Sequence, residues 1–128
     1  MRAPSIERDG WSLESGEERH AAAPATFWIP SLEARRGLWP GCLVKLIFRI
    51  GTSEGVEVER MWVVVTQRID DGARYLGVLD NTPLCEWAKG RLEPDFELPF
   101  EPCHVIDIAE PSEATMALAQ APPARRWH

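Results

Sequence analysis

The sequence predicts an α+β fold dominated by β-structure: a small, strongly bent antiparallel sheet or open barrel, with one or two short helices and disordered termini. Three observations lead there. Residues 43–50 alternate, with Val44, Leu46, Phe48 and Ile50 on one face and Lys45 and Arg49 on the other, as in a half-buried strand. Met61, Trp62, Val63, Val64 and Val65 are apolar on both faces, as in a central strand. Asp71-Gly72 is a tight-turn pair, able to reverse the chain between two such runs.

The elements follow in order. Residues 1–24 are polar, charged and Ala-rich, with Gly10, Gly16 and Pro24 as breakers, and read as a flexible leader with one loose turn near Trp11 and Leu13. Phe27, Trp28, Ile29 and Pro30 read as an extended entry strand or arm. Ser31 is placed to cap a short helix through Arg36, with Gly37 supplying a left-handed stop. The strand over 43–50 is followed by a flexible turn over 51–55 and by the central strand over 56–68. After Asp71-Gly72 comes a strand over 74–79, then one helical turn over 84–89 ended by Gly90. The last strands are residues 96–100 and 104–108. Pro99 and Pro102 put the first of these on an edge, because proline donates no ladder hydrogen bond. Residues 110–128 read as a flexible tail, in which a short helix starts near Ser112, passes Met116 and Leu118, and stops at Pro122-Pro123. The folded part is thus one domain over residues 25–109.

Composition narrows function without assigning it. The 128 residues carry 20 acidic and 14 basic side chains, a net charge of −6. That excess repels a phosphate backbone, and no Lys/Arg cluster offsets it, so no nucleic-acid partner is expected. Another protein is the expected partner. The N-terminus has no continuous apolar stretch of the signal-peptide kind, and no run reaches the roughly 18 apolar residues of a membrane span. The cytoplasm is the expected location, with no membrane association. Cys42, Cys85 and Cys103 form no Cys-x-x-Cys pair and sit among apolar neighbours, as reduced, packed thiols do. With His20, His104 and His128 they show no ligand spacing, so neither metal nor cofactor is expected.

Five ordered pieces carry a resemblance. They are Phe27-Trp28-Ile29-Pro30-Ser31-Leu32-Glu33-Ala34-Arg35; Leu38 through Gly41 to Val44-Lys45-Leu46-Ile47-Phe48; Glu59-Arg60-Met61-Trp62-Val63; Gly77-Val78-Leu79-Asp80-Asn81-Thr82-Pro83; and His104-Val105-Ile106-Asp107-Ile108. Together they resemble a bacterial domain family of unknown function with the pattern F-x-I-P-S, V-K-L-x-F, E-R-M-W-V, L-x-N-x-P. Cys42 stands where that pattern prefers Asp, and Val58 where Gly is usual. Related domains resemble immunity proteins, which neutralise a bacterial toxin by binding it. The resemblance implies no catalytic residue, cofactor or substrate.

The candidate binding residues are Arg60, Trp62, Asp80, Asn81 and His104. Arg60 and Trp62 lie two apart, on one strand face, where a guanidinium beside an indole can stack on a ligand or grip a carboxylate. The structural alternative has Trp62 closing the core and Arg60 paired with Asp80 or Asp107. Asn81 follows Asp80 at a strand end, where it either faces a ligand or bonds its own turn. Strand order places Arg60, Asn81 and His104 at one rim of the sheet, near Trp62. Cys103 and His104 point to opposite faces and make no nucleophile–base couple by themselves. Most aromatic residues are expected in the core, with Trp28, Trp39 and Trp87 on connections and more exposed. The expected function is that of a small protein-binding domain of unassigned role, with an immunity-type protein that neutralises a toxin partner as its specific form. The alternatives are a regulatory or ligand-binding small barrel and, with no acid–base constellation to support it, an enzyme.

Overall fold

Alternating side chains in two consecutive runs fold onto each other as one long antiparallel hairpin, β2 (Leu43–Thr52) against β3 (Gly55–Ile69). In the computed structural model, which describes residues 1–128, the register runs unbroken from Leu43 opposite Val64 to Thr52 opposite Gly55. β4 (Arg74–Leu79) pairs with the second half of β3, and β5 (Glu97–Phe100) pairs with β4. The other edge of β2 is shared. β1 (Trp11–Glu14) takes Ile47 to Ile50, and β6 (Val105–Ala109) takes Leu43 to Leu46.

The resulting antiparallel sheet curls into a half-barrel. Bulges between Val65 and Gln67 and between Lys45 and Leu46 each bend a strand locally. Gly77 permits a close approach of β4 to β3: a Cβ there would lie 2.5 Å from Val63 Cγ1.

The concave face holds the core. Val44, Leu46, Phe48 and Ile50 of β2 meet Met61, Val63 and Val65 of β3, with Tyr75, Leu98 and Phe100 beyond. The connection from β4 to β5 folds back over this face and adds Cys85, Ala88 and Leu92. Tyr75 stacks on Phe100 with ring centroids 5.2 Å apart, and its hydroxyl donates to Arg35 O at 2.9 Å. The convex face is buried in part as well: Ile47, Val64, Val78 and Ile106 are closed off from solvent. Ile106 packs on Gly16 at the start of α2 (Gly16–Ala22), and α4 (Glu113–Gln120) lies on β3 and β4. This two-sided cover explains why the run from Met61 to Val65 is apolar on both faces.

From residue 43 onward the strand and turn expectations hold closely, and β4 spans the predicted residues 74–79. Ser31 caps α3 (Leu32–Arg36) by accepting from Ala34 N–H at 3.1 Å. Ser112 caps α4 in the same manner. The Asp71-Gly72 reversal is present, with Asp71 at φ 56° and Gly72 at φ 86°.

Four expectations need correction. The termini are ordered. Residues near Trp11 form a strand because the second half of β2 otherwise leaves an unpaired edge. Trp11 is 3% exposed and meets Trp127 edge-on at 5.8 Å, while the Arg2 guanidinium lies over the Trp127 ring. The helices number four rather than one or two, the first being α1 (Ile6–Asp9). Residues 27–30 make no strand, since β1 and β6 already fill the edge of β2. Gly37 sits at φ −97°, so α3 ends without a left-handed residue.

Candidate functional site

The Glu59-Arg60-Met61-Trp62 segment divides its work by pleat. Met61 points into the core. Glu59, on the same side, accepts from the backbone N–H groups of Leu84 at 3.1 Å and Cys85 at 2.5 Å, pinning the covering loop to β3. Arg60 and Trp62 point to the convex face, together with exposed Val56 and Val58.

Beside Arg60 lies an open cleft of about 220 Å³, lined by Thr26, Phe27, Trp28, Lys45, Arg60 and Asp107 among others. Lys45 stands directly opposite Trp62 in the ladder, its ammonium 4.8 Å from the indole centre. Phe27 is held between two guanidinium groups, Arg19 at 5.1 Å and Arg60 at 5.3 Å from its ring centre. His20 Nδ1 lies 2.7 Å from Phe27 O as a hydrogen-bond partner, which anchors the loop carrying this ring. Trp28, next in sequence, is 69% exposed. The ion pairs of the chain use Arg2, Arg19, Arg35, Arg68, Arg74 and Arg126, and leave Lys45 and Arg60 without a carboxylate. The expected pairing of Arg60 with Asp80 or Asp107 is therefore absent. Two cations, aromatic walls and neighbouring aliphatic residues can hold a carboxylate-bearing, partly apolar surface.

Asn81 lies near this site but serves the backbone. Its Oδ1 accepts from Trp62 N–H at 2.5 Å, a bond across to β3 rather than within its own turn. Asp80 N–H donates to Trp62 O at 2.9 Å, so the two residues close the β3–β4 ladder together. The Asp80 residue is exposed, yet partial desolvation of its carboxyl, with Asp95 adding like charge, raises its pKa above the usual carboxylate value.

His104 is elsewhere. It ends a tight turn over Pro102–His104 and lines a shallow pocket with Met1, Arg2, Pro4, Arg74 and Phe100. Its Nδ1 accepts from Glu101 N–H at 3.0 Å, and burial lowers its pKa. The rim expected to unite Arg60, Asn81 and His104 thus joins Asn81 to Trp62 and leaves His104 in a different pocket. Cys103 beside it is pushed up to about 11, chiefly by burial, which disfavours the reactive thiolate.

Arg35 was missed as a key residue. Only 5% exposed, it donates to Pro30 O at 2.9 Å, Pro102 O at 2.9 Å and Glu17 Oε2 at 2.6 Å. It ties the loop before α3, the turn before β6 and α2 into one support beneath the Phe27–Trp28 wall. Its place at the end of Pro30-Ser31-Leu32-Glu33-Ala34-Arg35 was the available signal. Comparison of the chain with protein-family models, curated proteins and solved structures gives no match.

Proposed function

We propose that this chain is a bacterial cytoplasmic protein-binding domain of immunity type, which neutralises a toxin by covering it with the convex face of the β2–β3 hairpin. The observation carrying this reading is the exposed strip formed by Trp28 (69%), Val58 (50%) and Val56 (42%) beside Lys45 and Arg60, which lack carboxylate partners. Exposed aromatic and aliphatic side chains next to a desolvable guanidinium are the composition of interface centres. The ordered motif resemblance across residues 27–108 supports the same reading. No helix is long and apolar enough to cross a membrane.

The test is growth rescue. The chain is coexpressed with each toxin-like product encoded beside it, and complex formation is measured with the purified pair. Rescue by the native chain, lost in Arg60→Glu and in Trp28→Ala while the fold is kept, supports the proposal. Rescue that both variants retain places the interface elsewhere, and binding to none of these products defeats the immunity reading.

A further inference from the structure

β3 is longer than either neighbour needs. Residues 55–64 pair with β2, but β4 accompanies the strand only from Val63 to Ile69. The ladder closes at Trp62, whose C=O receives Asp80 N–H and whose N–H goes to Asn81. Backbone groups alternate in direction along a strand, so Arg60, Val58 and Val56 turn their N–H and C=O groups the same way as Trp62. No strand lies there, and these groups make no turn, loop or side-chain hydrogen bond. Val56, Val58 and Arg60 are also exposed on the convex side, and Glu57 is exposed on the concave side.

We propose that residues 55–60 form a docking edge that takes an extended segment of a partner protein as an added antiparallel strand. This rests on the protein-binding reading above and specifies its mode. Main-chain hydrogen bonds would supply affinity, and alternate side chains would supply selection. The charge pattern states the partner's chemistry: aliphatic residues opposite Val56 and Val58, an acidic residue opposite Arg60, and a basic residue opposite Glu57, since Glu59 is already bonded to the Leu84 and Cys85 N–H groups. A second copy of the chain fits poorly. Antiparallel self-pairing about Val58 sets Glu57 against Glu59, and pairing about Glu57 or Glu59 sets that residue against itself, like charges directly opposed. The short, charged edge accordingly discourages self-association while remaining open to a strand of that pattern.

The probe is a capped synthetic peptide whose central residues run glutamate, threonine, valine, lysine, isoleucine, with a scrambled control and a version N-methylated at the valine. Amide exchange at Val56, Val58 and Arg60 is followed by NMR with up to about 1 mM peptide. Slowing by about tenfold or more with the ordered peptide, lost with the scrambled and N-methylated ones, supports strand addition. No slowing, or equal binding of the N-methylated peptide, overturns it. Val58→Pro removes the outward donor at an edge position where proline is tolerated. Its loss of peptide binding with an unchanged circular dichroism spectrum supports the proposal, and retained binding overturns it; should the variant misfold, the N-methylated peptide decides. Against a toxin that passes the rescue test, rescue abolished by Trp28→Ala but intact in Val58→Pro defeats strand addition and leaves the binding reading standing.

Discussion

Asn81 Oδ1 accepts the Trp62 amide hydrogen at 2.5 Å and so takes the place of a backbone carbonyl at the end of the β3–β4 ladder. The relationship links the Leu79-Asp80-Asn81-Thr82-Pro83 turn to the Glu59-Arg60-Met61-Trp62 segment. It also makes Asn81 a stability residue whose effect on the cleft acts through the position of Trp62.

Asn81→Ala therefore leaves a partly buried N–H without a partner and should cost about 1–3 kcal/mol. Urea unfolding of the two proteins measures this. Asn81→Asp, which keeps an acceptor, should recover much of the loss. Equal midpoints for native and Asn81→Ala proteins would show that water replaces the bond without cost.

Trp127 joins the two chain ends. Its ring meets Trp11, Arg2 lies 4.2 Å from its ring centre, its Nε1–H donates to Arg2 O, and its backbone N–H donates to Glu97. Trp127→Ala should cost about 2 kcal/mol through lost burial and aromatic contact. Faster amide exchange should appear in β1, opposite β2, before the centre of the sheet is affected. Unchanged exchange at Ser12 and Glu14, whose N–H groups face β2, would contradict this clasp.

His104 gives stability a pH dependence. Burial lowers its folded pKa, and accepting from Glu101 N–H requires an unprotonated Nδ1. The unfolded chain then binds the proton more readily, so stability rises with pH across this titration. The contribution is complete above about pH 6.5 and is lost as pH falls through the lower folded value. His104→Asn, which offers an acceptor without titrating, should flatten that decline. A decline of equal steepness in the variant would assign it to other groups.

Charge predicts no retention on single-stranded DNA or RNA at physiological salt. Lys45, Arg60, Trp62 and Trp28 form a local cation–aromatic patch, but the chain around them carries a net −6. Binding that weakens steeply between about 50 and 200 mM salt would overturn this reading.

Much of the fold was legible because its signals are local. The alternation in β2, the two-sided apolar run in β3, the Asp71-Gly72 reversal and the serine caps of α3 and α4 each express preferences of neighbouring residues. Arg60 and Trp62 sharing a convex face likewise follows from their two-residue spacing. The cleft was only half visible, since its other wall, Phe27 and Trp28, arrives from an irregular loop whose anchors are Arg35 and His20.

The sequence by itself determined where the strands from residue 43 onward run and which way their side chains alternate, because period and turn chemistry are properties of short segments. Tertiary structure decided what the edges receive. Ser12 and Glu14 contribute little to a core, yet Trp11–Glu14 becomes a strand because the second half of β2 offers unpaired backbone groups. His104 left the predicted rim because the turn over Pro102–His104 carries it against the N-terminal residues, away from Arg60. Burial and hydrogen-bond closure depend on residues far apart in sequence, and only their assembly shows which backbone edge is satisfied and which stays open.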